Sequence, residues 1–134
     1  MLAQTGTHVA TMKLFSTNVH GVLDYVTVAT VPALFRLLGA REETTRVADA
    51  GAVFVLTYSL LTRYELGAFK VLPLPAHFVM DALFGAAFVS AAARHTDETR
   101  AVRAALAAQG LFALAASVLT ETTPARDEGT GEAP

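Results

Sequence analysis

The chain is expected to be all-α: a four-helix transmembrane bundle built from two tandem helical hairpins, an internal repeat. Three observations predict this. Hydrophobic residues make up 53% of the 134 and charged residues only 16%, against about 25% charged in ordinary soluble domains. The charges are also confined: none falls in 50–62 or 104–120, Asp24 is the only one in 14–35, and Asp81 is the only one in 71–93. The word His-x-x-x-Asp occurs twice, at His20/Asp24 and at His77/Asp81, each time inside an apolar run. A span needs about 20 mostly apolar residues, and four such stretches leave room for one domain, at 1–121. The polar, Gly/Pro-rich tail 122–134 is expected to be disordered. A soluble four-helix bundle is the competing architecture, but its helices carry an apolar stripe opposite a charged face. The stretches 50–61 and 104–119 are apolar all round.

Helix 1 is expected at about 17–38. Ser16, Thr17 and Asn18 are good N-cap types, and Gly39 offers a C-terminal stop. Pro32 interrupts its last turns, which membrane helices tolerate. A polar loop, 40–46, leads to helix 2 at about 47–64. Gly67 opens a connection that ends in Pro73 and Pro75, and Pro75 suits the first turn of helix 3, about 75–93. The loop 94–100 precedes helix 4, about 101–120. No small-residue cleavage pattern follows the first apolar run, so helix 1 is expected to remain as a span rather than a signal peptide.

The halves align closely. His20, Asp24 and Arg46 match His77, Asp81 and Arg103 at an offset of 57, and Ser59-Leu60-Leu61-Thr62 matches Ser117-Val118-Leu119-Thr120 at 58. Each half crosses the bilayer an even number of times, so the expected symmetry axis lies along the membrane normal. Arg36, Arg41, Arg46, Arg94, Arg100 and Arg103 flank the hairpin loops; Lys13, Arg63, Lys70 and Arg126 lie on the other side. That balance favours hairpin loops in the cytoplasm of a multi-pass inner-membrane protein, with both termini outside.

Residues four apart share a helix face, so each His lies beside its Asp. Both Asp residues fall roughly 10 Å in from their helix starts, on the side where helices 2 and 4 end. The expected polar layer therefore combines His20, Asp24, His77 and Asp81 with Tyr58, Ser59, Thr62 and Arg63, then Ser117, Thr120 and Glu121. An ionised Asp costs about 2.5–3.5 kcal/mol at a bilayer centre, which His and hydroxyl partners offset.

Four readings of this layer stand side by side. In the first, each Asp accepts a hydrogen bond from its own His and the layer ties the helices together, as in a structural or accessory subunit with no cofactor. In the second, His20, Asp24, His77 and Asp81 form an N2O2 set for a divalent metal. In the third, His20 and His77 are axial ligands of a b-type haem. In the fourth, the pairs serve a proton-linked quinone or solute site. Tyr58, Thr62, Arg63 and Thr120 are the supporting residues in each cofactor reading. The absence of cysteine excludes thiolate sites and disulfides, and the net charge of −2 points to no nucleic-acid partner. No phosphate loop, G-x-S-x-G or H-E-x-x-H occurs, which leans away from an enzyme. The expected partners are the lipid bilayer and a second copy or a larger membrane complex.

Three words carry a family resemblance: Val19-His20-Gly21-Val22-Leu23-Asp24-Tyr25, the run from Tyr58 to Gly67, and the run from Leu72 to Asp81. Together they resemble small bacterial four-span integral membrane proteins of the SPW-repeat type. The Ser-Pro-Trp words are absent and the chain has no Trp, which makes it divergent from that group. The resemblance implies four spans and brings no activity with it.

Overall fold

In a computed structural model, residues 13–122 are described; of the expected tail only Thr122 falls within them. Among the described residues the secondary structure is four helices: α1 (Thr17–Leu37), α2 (Glu42–Leu61), α3 (Leu74–Arg94) and α4 (Arg100–Leu119). Two single-residue β-bridges, Phe15 with Thr120 and Thr62 with Leu72, are the remaining regular pairing.

Local chemistry accounts for most of the ends. The Ser16 side chain caps α1 by accepting from the Val19 N–H, and Thr99 caps α4 by accepting from the Val102 N–H. At the C-terminus of α1, Gly39 takes φ +67°. Its N–H donates to the Arg36 carbonyl and that of Ala40 to the Phe35 carbonyl, the paired closure that a left-handed residue permits. Helix α2 starts at Glu42, not at 47. Its opening Glu-Glu-Thr-Thr is too polar to read as a span, yet two carboxylates in the first turn favour a helix N-terminus. It also stops at Leu61 rather than 64, where Thr62 turns to extended backbone.

Helices α1 and α2 pack as one hairpin and α3 and α4 as another; α2–α3 and α1–α4 contacts close the ring, which leaves α1 and α3 on a diagonal. The α3–α4 pair is the most intimate. A Cβ on Gly85 would lie 2.7 Å from the Gly110 carbonyl oxygen, and one on Gly110 2.6 Å from that of Gly85, so glycine sets the backbone approach. Val31, Phe35, Phe84, Phe88 and Leu106 fill the core toward the hairpin loops.

At the opposite end each hairpin begins against the end of the other. The Leu14 N–H donates to the Leu119 carbonyl (2.7 Å) and that of Glu121 to Phe15 (2.9 Å). In matching fashion, the Val71 N–H donates to Leu61 (2.8 Å) and that of Arg63 to Leu72 (2.9 Å). This exchange sets the first turn of α1 beside the end of α4, and the first turn of α3 beside the end of α2.

Two helices, Leu74–Arg94 and Arg100–Leu119, are long and apolar enough to cross a membrane. Exposed side chains on the flanks of the other two include Val19, Val22, Val26, Leu34, Val53 and Phe54. Ion pairs gather at the hairpin-loop end: Arg36 with Asp49 (2.7 Å), Arg41 with Asp97 (3.0 Å) and Arg46 with Glu42 (2.5 Å).

Candidate metal centre

The exchange of hairpin ends brings four ionisable side chains to one point on the bundle axis. His20 and Asp24 come from α1, and His77 and Asp81 from α3; all four are buried, His77 completely. One ligand atom from each lies within 4.8 Å of every other. The two Nε2 atoms are 3.1 Å apart. His20 Nε2 is 3.0 Å from Asp81 Oδ2 and 3.5 Å from Asp24 Oδ1. His77 Nε2 is 3.3 Å from Asp24 Oδ2 and 3.4 Å from Asp81 Oδ2. Each Asp meets the His on its own helix, as the four-residue spacing implies, and meets the His of the other helix as well. The closest His–Asp approach crosses the diagonal, because both imidazoles point at the axis rather than along their own helices.

Hydroxyls orient the rings. Thr120 Oγ1 lies 2.7 Å from His20 Nδ1, and Thr62 Oγ1 lies 2.8 Å from His77 Nδ1. Each hydroxyl also donates to the carbonyl one turn back, Ala116 and Tyr58 respectively, both at 2.7 Å. A carbonyl only accepts, so the hydroxyl hydrogen goes to it, and the hydroxyl oxygen is left to accept from the ring. Both imidazoles are thereby held with a proton on Nδ1 and with Nε2 turned to the centre of the cluster. A partner on the far nitrogen that fixes the tautomer is the usual support of a metal-ligating His.

The carboxylates are held from outside the cluster. Asp24 Oδ2 accepts from Ser59 Oγ (3.0 Å) and the Tyr64 hydroxyl (3.3 Å), and Asp81 Oδ1 accepts from the Tyr58 hydroxyl (2.5 Å). Tyr64 lies beyond the end of α2; burial first, and then the charge of Asp24, push its phenol above the ordinary range and keep it a donor. Asp81 Oδ2 faces the imidazoles and lies 3.0 Å from His20 Nε2. Two carboxylates and two Nε2 atoms thus converge on one point. Such a cluster is repulsive until a cation or protons enter it.

The supporting residues divide. Tyr58, Thr62 and Thr120 touch the cluster, as does Ser59. Arg63 does not: it is exposed and its Nε donates to the Lys70 carbonyl at 2.9 Å. Ser117 bonds back to Leu114, and Glu121 is exposed. Tyr64 was missed by the sequence argument. Its signal is Gly21, directly after His20, where a Cβ would collide with the Tyr64 ring.

The axial-haem reading fails on distance. Two imidazoles on one iron hold their nitrogens about 4 Å apart, twice a bond of about 2.0 Å, with a macrocycle between them; here they are 3.1 Å apart. The cavity beside the cluster is about 20 Å³, room for about one water and none for a quinone ring. No protein-family model, curated protein or solved structure matches the chain.

Proposed function

We propose that this chain is a four-span integral membrane protein that binds one divalent first-row transition ion between its two hairpins, through His20, Asp24, His77 and Asp81. One observation carries the metal reading. For bonds of 2.0–2.1 Å a regular tetrahedron has edges of about 3.3–3.4 Å. The N–N and N–O approaches run from 3.0 to 3.5 Å, with Asp24 meeting His20 through Oδ1 and His77 through Oδ2, and one ligand atom from each of the four residues lies within 4.8 Å of the others. Two imidazoles and two carboxylates also match a +2 ion in charge, so the filled site is neutral where neutrality matters most. Zinc suits a tetrahedral N2O2 set best. The structural reading, in which the layer only ties helices together, places a proton rather than an ion between the two Nε2 atoms and the carboxylates.

The membrane reading rests on where the charges lie. Outward-facing hydroxyls in the apolar band, Thr30 and Thr57, donate to the carbonyls of Val26 and Val53 in their own helices at 2.7 Å, as lipid requires. In this reading α1 and α2 span alongside α3 and α4, the loops 38–41 and 95–99 share one face, and the ion sits about 10 Å below the other. The Lys/Arg balance favours hairpin loops on the cytoplasmic face of a bacterial inner membrane.

Detergent-purified protein, equilibrated with Zn²⁺ and freed of excess ion, is expected to retain one ion per chain. His77→Ala and Asp81→Asn are expected to lose it while keeping the helical circular dichroism. A folded wild type that retains no ion returns the layer to a structural role. Because the chain has no cysteine, single-cysteine labelling tests the topology: Arg41→Cys and Thr96→Cys should react from one face, Lys13→Cys and Lys70→Cys from the other.

A further inference from the structure

The cluster is not enclosed equally on all sides. Applying the offsets of 57 and 58, the residues that fill the α2–α3 side, Tyr58 and Phe84, correspond to Ala116 and Thr27 on the α1–α4 side. The first pair are large rings and the second pair small side chains. Gly51, over which the rings of Phe84 and Phe88 pack so closely that a Cβ would come within 2.9 and 2.6 Å, corresponds to Gln109. On the α1–α4 side the difference leaves the cavity of about 20 Å³. It is lined by His20, Asp24 and Asp81 with Thr27, Gln109 and Ala116 of α1 and α4, and the rings of Tyr58 and Phe84 close it from the α2–α3 side. His77 is absent from the lining and lies fully buried behind the other three.

From this asymmetry we infer that the ion has a fifth, exchangeable ligand of water size, bound in the cavity at the seam between α1 and α4. The inference rests on the metal reading above and gives the site a different character from a closed structural one. Four protein ligands saturate a structural zinc, so a fifth ligand here means expansion to five-coordination, which zinc adopts at sites where a ligand is activated or exchanged. The volume selects the ligand. A cavity needs about 10–15 Å³ to hold one water, and the water needs two to four polar partners. Gln109 and Thr27 line the cavity, and an amide and a hydroxyl are groups that can supply them together with the ion. The ligand class is therefore water or hydroxide, or a narrow anion that takes its place. At such a position the ion polarises a bound water toward hydroxide.

The test uses the Co²⁺-loaded protein and azide as the probe. Wild type should hold one Co²⁺ per chain, and azide should shift its visible absorption in a saturable titration. Ala116→Phe, which fills the cavity as Tyr58 fills the opposite side, should still bind Co²⁺ but lose about tenfold or more in azide affinity. Thr27→Leu enters from the facing wall and gives the same readout if Ala116→Phe does not fold. Failure of the two readings is distinguishable. A wild type that binds no Co²⁺ overturns the metal centre and this inference with it. A loaded wild type indifferent to azide, or filled variants that bind azide as wild type does, overturns the fifth position alone.

Discussion

The two hairpins make the same contacts to the centre and different contacts to each other. Thr62 and Thr120 hold the two imidazoles at 2.8 and 2.7 Å, nearly superposable, and the backbone pairings at the ends of α2 and α4 match bond for bond. Between those fixed points the seams diverge. At α2–α3, Tyr58 reaches Asp81 and Phe84 packs over Gly51; at α1–α4 the corresponding residues are Ala116 and Thr27, and a cavity remains. Asp24 therefore takes its hydrogen bonds from Ser59 and from Tyr64 in the connection after α2, while Asp81 takes one from within the bundle. The two halves share the geometry of the centre and differ in its surroundings. What is symmetric here shapes the cluster, and what is asymmetric leaves a cavity on one side of it.

The largest effect that probes the symmetric part comes from the two hydroxyls. Thr62→Val and Thr120→Val keep the volume and remove the acceptor that fixes each imidazole. Each should weaken Zn²⁺ binding by about 10–100-fold, and by similar amounts, measured by competition with a chromophoric chelator. Very unequal losses would break the equivalence of the two rings.

A smaller effect distinguishes the hairpins as packed pairs. Gly85→Ala gains about 1 kcal/mol of helix propensity but sets a Cβ 2.7 Å from the Gly110 carbonyl oxygen, a backbone atom that cannot rotate away. The net result should be a loss of about 1–3 kcal/mol, seen as a lower Tm in detergent. An unchanged or higher Tm would mean that α3 and α4 are less tightly apposed. The smallest effect is outside both seams: Arg36→Gln removes the exposed pair with Asp49 and should leave the Tm unchanged, as half-exposed ion pairs do.

Much of this was legible in the residues. The capped start at Ser16, the stop at Gly39 and the Pro75 start of α3 are local signals, and the helices begin or end within a residue or so of them. The start of α2 was not, because hydropathy reports where a helix meets an apolar phase rather than where its hydrogen bonds begin. At the centre, the repeat led to Thr62 and Thr120, and the shared end of helices 2 and 4 led to Tyr58. Spacing rules see one helix at a time, however. They paired His20 with Asp24 and His77 with Asp81, and could not register that α1 and α3 face each other across a diagonal. Tyr64 was hidden for the related reason that it follows a chain reversal, and Arg63 was drawn in because it adjoins Thr62 in sequence while its side chain points away.

The central claim is that both halves ligate one ion. Metal-edge X-ray absorption on the Zn²⁺-loaded, detergent-purified protein tests it most directly. The account predicts a first shell of only nitrogen and oxygen at about 2.0–2.1 Å, with the outer-shell scattering of two imidazoles, reduced to one in His20→Ala or His77→Ala wherever those variants retain an ion. A wild-type shell of water oxygens without imidazole scattering, or a folded protein with no bound zinc, would contradict it.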